Sequence, residues 1–143
     1  MSLNTLGAIL TFAIDLEDAL QHFYRQASAL DGESPELFES YAHKSAKRRQ
    51  RLVAIRQDNV TEMVLEPISG LVEAEYTLTY DVPSDVQSAL REAIRLESRA
   101  ERFYNEAGSK LNVTEARRAF QKLARENAER LTELRTTSIT PQS

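Results

Sequence analysis

Glu17 and Glu97 are the side chains of this sequence with the most chemistry to account for. Leu10, Ala13, Glu17, Leu20, Tyr24 and Ala27 follow steps of three and four, so Glu17 interrupts an otherwise apolar helical stripe. Leu90, Ala93, Glu97, Ala100, Tyr104 and Ala107 repeat that stripe, with Glu97 at the same level. Two further stripes carry polar residues spaced i, i+3: Phe38, Tyr41, Ser45, Arg48, Leu52 and Ile55 in one, and Phe120, Leu123, Asn127, Arg130 and Leu134 in the other. The spacing predicts two carboxylates and two guanidinium groups facing one core. A carboxylate on each of two helices, opposite an i, i+3 polar element on each of two others, is the layout of a carboxylate-bridged two-metal centre. Guanidinium has no acceptor and stays protonated, so Arg48 and Arg130 oppose a cation at that centre.

The elements that must position these residues are helical nearly throughout. The first helix is expected from about Leu3 to Leu30, ending before Asp31 and Gly32. Ser34 as N-cap and Pro35 at the first helical position open a second, continuing towards about Met63. Periodicity fails from 64 to 83, where Pro67, Gly70 and a run of β-branched and aromatic residues make a long connection. Ser84 with Gln87 reads as a capping box for a third helix, which Gly108 to Asn112 breaks. Asn112 or Thr114 caps a fourth, and Thr136 to Ser143 reads as a frayed polar tail. The chain thus divides into a helical hairpin at 3–63, a crossover at 64–83, a second hairpin at 84–136 and a tail at 137–143, all within one domain spanning 1–143.

The two hairpins are related. At an offset of 80, eight of the eighteen positions from Leu10 to Ala27 are identical to their counterparts, Glu17 with Glu97 and Tyr24 with Tyr104 among them. At an offset of 82, Phe38, Ala42, Ala46, Arg48 and Leu52 match Phe120, Ala124, Ala128, Arg130 and Leu134. The expected fold is all-α: a four-helix bundle of two duplicated hairpins. A connection of about 20 residues reaches roughly 65 Å, enough to return along a helix of about 37 Å and start helix three parallel to helix two. Its apolar residues, Val64, Leu65, Ile68, Leu71, Val72, Tyr76, Leu78 and Tyr80, are expected to cover the core, the alternative being a second subunit.

The segments Ala13-Ile14-Asp15-Leu16-Glu17 to Phe23-Tyr24, and Phe120-Gln121-Lys122-Leu123-Ala124-Arg125-Glu126, together with Leu65-Glu66-Pro67-Ile68, resemble rubrerythrin and the ferritin-like family over nearly the whole chain. That resemblance implies a ferritin-like bundle in which each second-type helix supplies Glu-x-x-His to a di-iron centre. This chain has Ser45-x-x-Arg48 and Asn127-x-x-Arg130 there, so Glu17, Ser45, Arg48, Glu97, Asn127 and Arg130 are remnant metal-site positions with four of six ligands changed. The expectation is buried pairing of Glu17 and Glu97 with the two arginines, bidentate where geometry allows. Ser45, Asn127, Tyr24 and Tyr104 complete the hydrogen bonds, each half mirroring the other. On this reading there is no cofactor and no catalytic residue, and the role is structural, interactive or small-ligand binding. The alternative is a ferritin-like, metal-dependent oxidoreductase or iron-handling protein, holding iron or manganese on Glu17 and Glu97, with Asn127 as a weaker donor.

Composition sets outer bounds. No cysteine is present, so disulfides, thiolate metal sites and a cysteine nucleophile are excluded. His22 and His43 stand one step off the inward stripes and read as surface or boundary residues. The second helix carries Lys44, Lys47, Arg48, Arg49, Arg51 and Arg56, but a net charge of −4 and the absence of interleaved aromatics favour a solvated face over a nucleic-acid surface. Met1 to Leu16 shows neither a signal-peptide pattern nor a membrane span. A cytoplasmic protein completes the reading; a homodimer is one arrangement that the apolar connection allows and the sequence does not derive, and no protein partner is named by it.

Overall fold

The structure is a computed structural model that describes residues 3–30, 35–59 and 67–139. Its elements are α1 (Leu6–Ser28), α2 (Pro35–Asp58), a 3-10 turn at Glu73–Glu75, α3 (Val86–Gly108) and α4 (Thr114–Ile139), with no strand among the described residues. None of these helices is long and apolar enough to cross a membrane. The predicted Ser34 cap, Met63, and the Leu65-Glu66 pair lie outside the described residues.

Local chemistry sets the helix ends, and it departs from the expected boundaries in several places. Thr5 is extended and its Oγ1 accepts from the Ala8 amide at 3.0 Å, so α1 begins at Leu6 rather than Leu3. Leu3 is nevertheless buried in the core. At the end of α2, Asn59 donates through Nδ2 to the Ile55 carbonyl at 2.8 Å, closing the helix at Asp58. The capping box of α3 is Asp85 and Ser88, one residue later than the expected Ser84 and Gln87. Asp85 accepts from the Ser88 amide at 2.7 Å, and this register buries Val86 while leaving Gln87 exposed. Thr114 is not the cap of α4 but its first helical residue, and the Val113 carbonyl accepts from the Arg117 amide at 3.0 Å. The expected tail from Thr136 is helical through Ile139. Thr136 and Thr137 return their hydroxyls to the carbonyls four residues back, at 2.9 Å each, which lets threonine persist in a helix.

Cross-helix contacts fix the relative directions. Glu17 meets Arg48 and Thr11 meets Arg56, so α1 and α2 run antiparallel. Tyr104 reaches Glu17 and Tyr24 reaches Glu97, so α1 and α3 also run antiparallel. Ser45 meets Arg130 and Tyr41 meets Glu133, giving the same relation for α2 and α4. Hence α2 and α3 are parallel, and the chain between them must travel the length of the bundle, which is single-crossover topology. α3 approaches α4 closely at Gly108, where a Cβ would stand 3.1 Å from the Phe120 Cβ.

Most apolar residues of the described connection cover the core, but Val72, expected among them, is exposed. Tyr76 is fully buried, and Ile68, Leu71, Leu78 and Tyr80 pack against the core residues. Tyr76 meets the Phe103 ring with centroids 5.4 Å apart, and Tyr80 meets Phe23 at 5.0 Å. α3 holds the strap from outside: Arg99 donates to the Thr77 carbonyl at 2.9 Å, Arg95 donates to the Thr79 carbonyl, and Arg102 pairs with Glu75 at 3.3 Å. Burial holds the Tyr76 hydroxyl up at about 12, helped by its 2.5 Å donation to Glu106.

Candidate functional site

All six polar positions singled out from the sequence, Glu17, Ser45, Arg48, Glu97, Asn127 and Arg130, are buried, and the structure brings them into one layer at mid-bundle. Each helix contributes because its remaining inward residues are apolar, so the helix cannot rotate the polar group outward without exposing that face. Glu97 is the best satisfied. Its Oε2 accepts from Arg130 Nη1 at 3.1 Å and from the Tyr24 hydroxyl at 2.5 Å, and its Oε1 accepts from Asn127 Nδ2 at 2.5 Å. Glu17 has less. Its Oε2 lies 3.1 Å from Arg48 Nη2 and accepts from the Tyr104 hydroxyl at 2.5 Å, while its Oε1 is buried without a hydrogen-bond partner.

The four-helix arrangement adds links that span the two hairpins. Arg48 Nη2 donates to Asn127 Oδ1 at 2.9 Å and Arg130 Nη1 donates to Ser45 Oγ at 3.2 Å. Both tyrosines also cross over: Tyr24 of the first hairpin serves Glu97 of the second, and Tyr104 serves Glu17. Sequence reasoning placed these tyrosines beside the carboxylates but not on the opposite partner.

Two features of the expected pairing are corrected. Neither ion pair is bidentate: each arginine meets its carboxylate through a single nitrogen, Nη2 of Arg48 and Nη1 of Arg130, and the same nitrogen also reaches the opposite hairpin. Nor do the halves mirror each other. Ser45 is two heavy atoms shorter than Asn127, the residue matched to it in the second hairpin, and does not supply Glu17 with the bond that Asn127 gives Glu97. Nε and Nη1 of Arg48 are also buried and unpartnered.

Electrostatics follow the geometry. Burial pushes the Glu17 carboxyl above the usual carboxylate range, against the pull of Arg48, Arg130 and the Tyr104 hydrogen bond. Tyr24 and Tyr104 are driven well above their ordinary range, by burial first and then by the carboxylates they serve, so both hydroxyls stay protonated and act as donors. For Arg130, burial pulls downward, but Glu97, Tyr24 and Glu17 outweigh it, and the group is held above the ordinary guanidinium range. The guanidinium groups also lie over aromatic faces, Arg48 at 5.5 Å from the Tyr104 ring centroid and Arg130 at 5.1 Å from Tyr41.

The donor set does not fit a di-iron centre. Each carboxylate is already in contact with a guanidinium and a phenol, the i, i+3 positions offer cations where anions or imidazoles are required, and no cluster of three His, Cys, Asp or Glu able to hold a metal ion occurs among the described residues. His22 and His43 are exposed. Sequence reasoning missed Glu133, whose carboxylate accepts from the Tyr41 hydroxyl. Its position three residues beyond Arg130, facing the Tyr41 stripe of α2, was the available signal.

Fold and polar layer together define an all-helical bundle of two paired hairpins with buried Glu–Arg salt bridges at its centre. No protein-family model and no curated protein matches the chain. Among solved structures it is similar to a conserved hypothetical protein from Mycobacterium tuberculosis, with a TM-score of 0.71 and 21% identity over 91% of this chain and 94% of that one. At that identity the likeness extends to the fold.

Proposed function

We propose that this chain is a ferritin-like bundle, built by hairpin duplication, in which two guanidinium groups take the place of two metal ions. The protein acts without di-iron chemistry, as a structural or small-ligand-binding protein. The observation that carries the reading is the pairing of each inward carboxylate with an arginine from the i, i+3 element of its own hairpin, both at 3.1 Å. Two carboxylates facing two permanent cations are neutral overall without a metal, which is the condition for burying them together.

The test is elemental analysis after incubation with ferrous iron in air and, separately, with manganese, beside a Ser45→Glu, Arg48→His variant. The reading expects an unloaded wild type. Stoichiometric metal in the wild type, lost on Glu17→Ala, would overturn it and put a metal-dependent oxidoreductase in its place.

A further inference from the structure

α2 and α4 are joined at mid-bundle by the polar layer, and outward of it they enclose a cleft of about 440 Å³ lined by Lys44, Lys47, Arg48, Arg51, Lys122 and Arg130, with Glu126, Glu129 and Glu133. The volume is that of a small-molecule site. Arg48 and Arg130 are paired with Glu17 and Glu97, which leaves four cationic side chains against three carboxylates, and Glu133 accepts from Tyr41. Among the described residues, Lys44, Lys47, Arg51 and Lys122 take part in no ion pair. The basic run of α2, which alone reads as a solvated face, is therefore half of a charged cleft completed by α4.

A cationic rim by itself is ordinary surface. What distinguishes this cleft is one buried residue in its lining. Arg48 lines it, its side chain is 7% exposed, and two of its donors, Nε and Nη1, have no partner. A buried cationic donor without an acceptor costs more than an ordinary hydrogen bond returns, so an acceptor delivered there gains the full difference. Arg130, which also lines the cleft, places Nη1 on Glu97 and Ser45, and none of its nitrogens is among the buried donors without a partner. That leaves Arg48 as the acceptor-seeking group.

From this geometry we infer that the cleft between α2 and α4 binds a small oxyanion, a molecule with a phosphate or carboxylate group that accepts from Arg48 and is drawn in by Lys44, Lys47, Arg51 and Lys122. The inference deepens the small-ligand part of the proposed function and rests on Arg48 being a residue of a metal-free core. Oxyanion engagement of Arg48 competes with its hold on Glu17, whose carboxyl burial raises above the usual range.

The experiment is titration calorimetry of the full chain, its metal content measured beforehand, with inorganic phosphate and separately with succinate at low ionic strength. Because the metal content is known, failure of the metal-free reading and failure of anion binding are told apart. The expected result is saturable binding of at least one anion with Kd at or below about 1 mM. A Lys47→Ser, Lys122→Ser double variant, whose exposed substitutions leave the core intact, weakens it at least tenfold. A shift of the Arg48 Nε–H resonance on titration reports on the buried residue even if Arg48→Gln fails to fold. Phosphate alone or succinate alone binding assigns the source of the oxyanion. No saturable heat with either anion up to about 10 mM, or an unchanged titration in the rim variant, overturns the inference.

Discussion

Arg48→Met tests the core arrangement most directly, since it keeps an unbranched apolar stem and removes every donor. Glu17 then loses the guanidinium at 3.1 Å and keeps only the Tyr104 hydroxyl, while Asn127 Oδ1 loses its donor at 2.9 Å and the Tyr104 ring loses the cation at 5.5 Å. Taking one partner from a fully buried ion pair costs about 3–5 kcal/mol, because the other charge stays behind. In a chain of this size that lowers Tm by roughly 10–15 °C. An exposed pair such as Arg49 with Asp18, in contact at 2.7 Å but with side chains 41% and 49% exposed, contributes about 0–1 kcal/mol by contrast. The assay is urea unfolding at neutral pH followed by far-UV circular dichroism. A Glu17→Gln, Arg48→Met double variant is measured alongside, because removing both charges together relieves the stranded carboxylate. The cycle should return a coupling energy above about 1.5 kcal/mol. Loss of less than about 1 kcal/mol in the single variant, or additivity in the cycle, refutes the reasoning.

Further outcomes follow from the asymmetry and the proton-binding groups. Ser45→Asn should supply Glu17 Oε1 with the bond that Asn127 gives Glu97 and raise stability by about 1 kcal/mol in the same unfolding assay; a lower Tm would show that the layer has no room for it. Tyr104→Phe, which deletes a 2.5 Å donation to Glu17, should cost about 1.5–3 kcal/mol, whereas Tyr80→Phe, with no hydrogen bond to lose, should be nearly neutral. Because the folded Glu17 carboxyl titrates above its unfolded value, the native state holds the extra proton, and the stability this group contributes is present at low pH and lost as pH rises through its folded range. The stability advantage of wild type over Glu17→Gln should therefore shrink as pH climbs from the usual carboxylate range towards neutrality, read by denaturation across pH. Asp85 behaves oppositely. The Ser88 amide and hydroxyl hold its carboxyl below the usual range, so its contribution is lost as pH falls through that lowered range, and Asp85→Asn should flatten the acid limb of the profile.

Periodicity alone determined the helices, the inward position of the polar residues and the presence of an Arg opposite each Glu. These are properties of one helix face at a time, and a step of three or four in the chain fixes them. Helix ends were less legible, because they turn on competition among neighbouring caps: Asp85 displaces Ser84, Thr5 sets the start of α1, and Thr136 and Thr137 stay helical by bonding back along α4. Which partner each side chain takes was decided only in the tertiary structure. Tyr24 reaches Glu97 rather than Glu17 because α1 and α3 run antiparallel, and each arginine divides its contacts between hairpins because all four helices converge at one level. The unmatched pair of Ser45 and Asn127 was visible in the sequence as a difference of two heavy atoms. That Glu17 Oε1 is left buried without a partner beside the shorter side chain depends on how the four helices pack around it, which one helix face does not show.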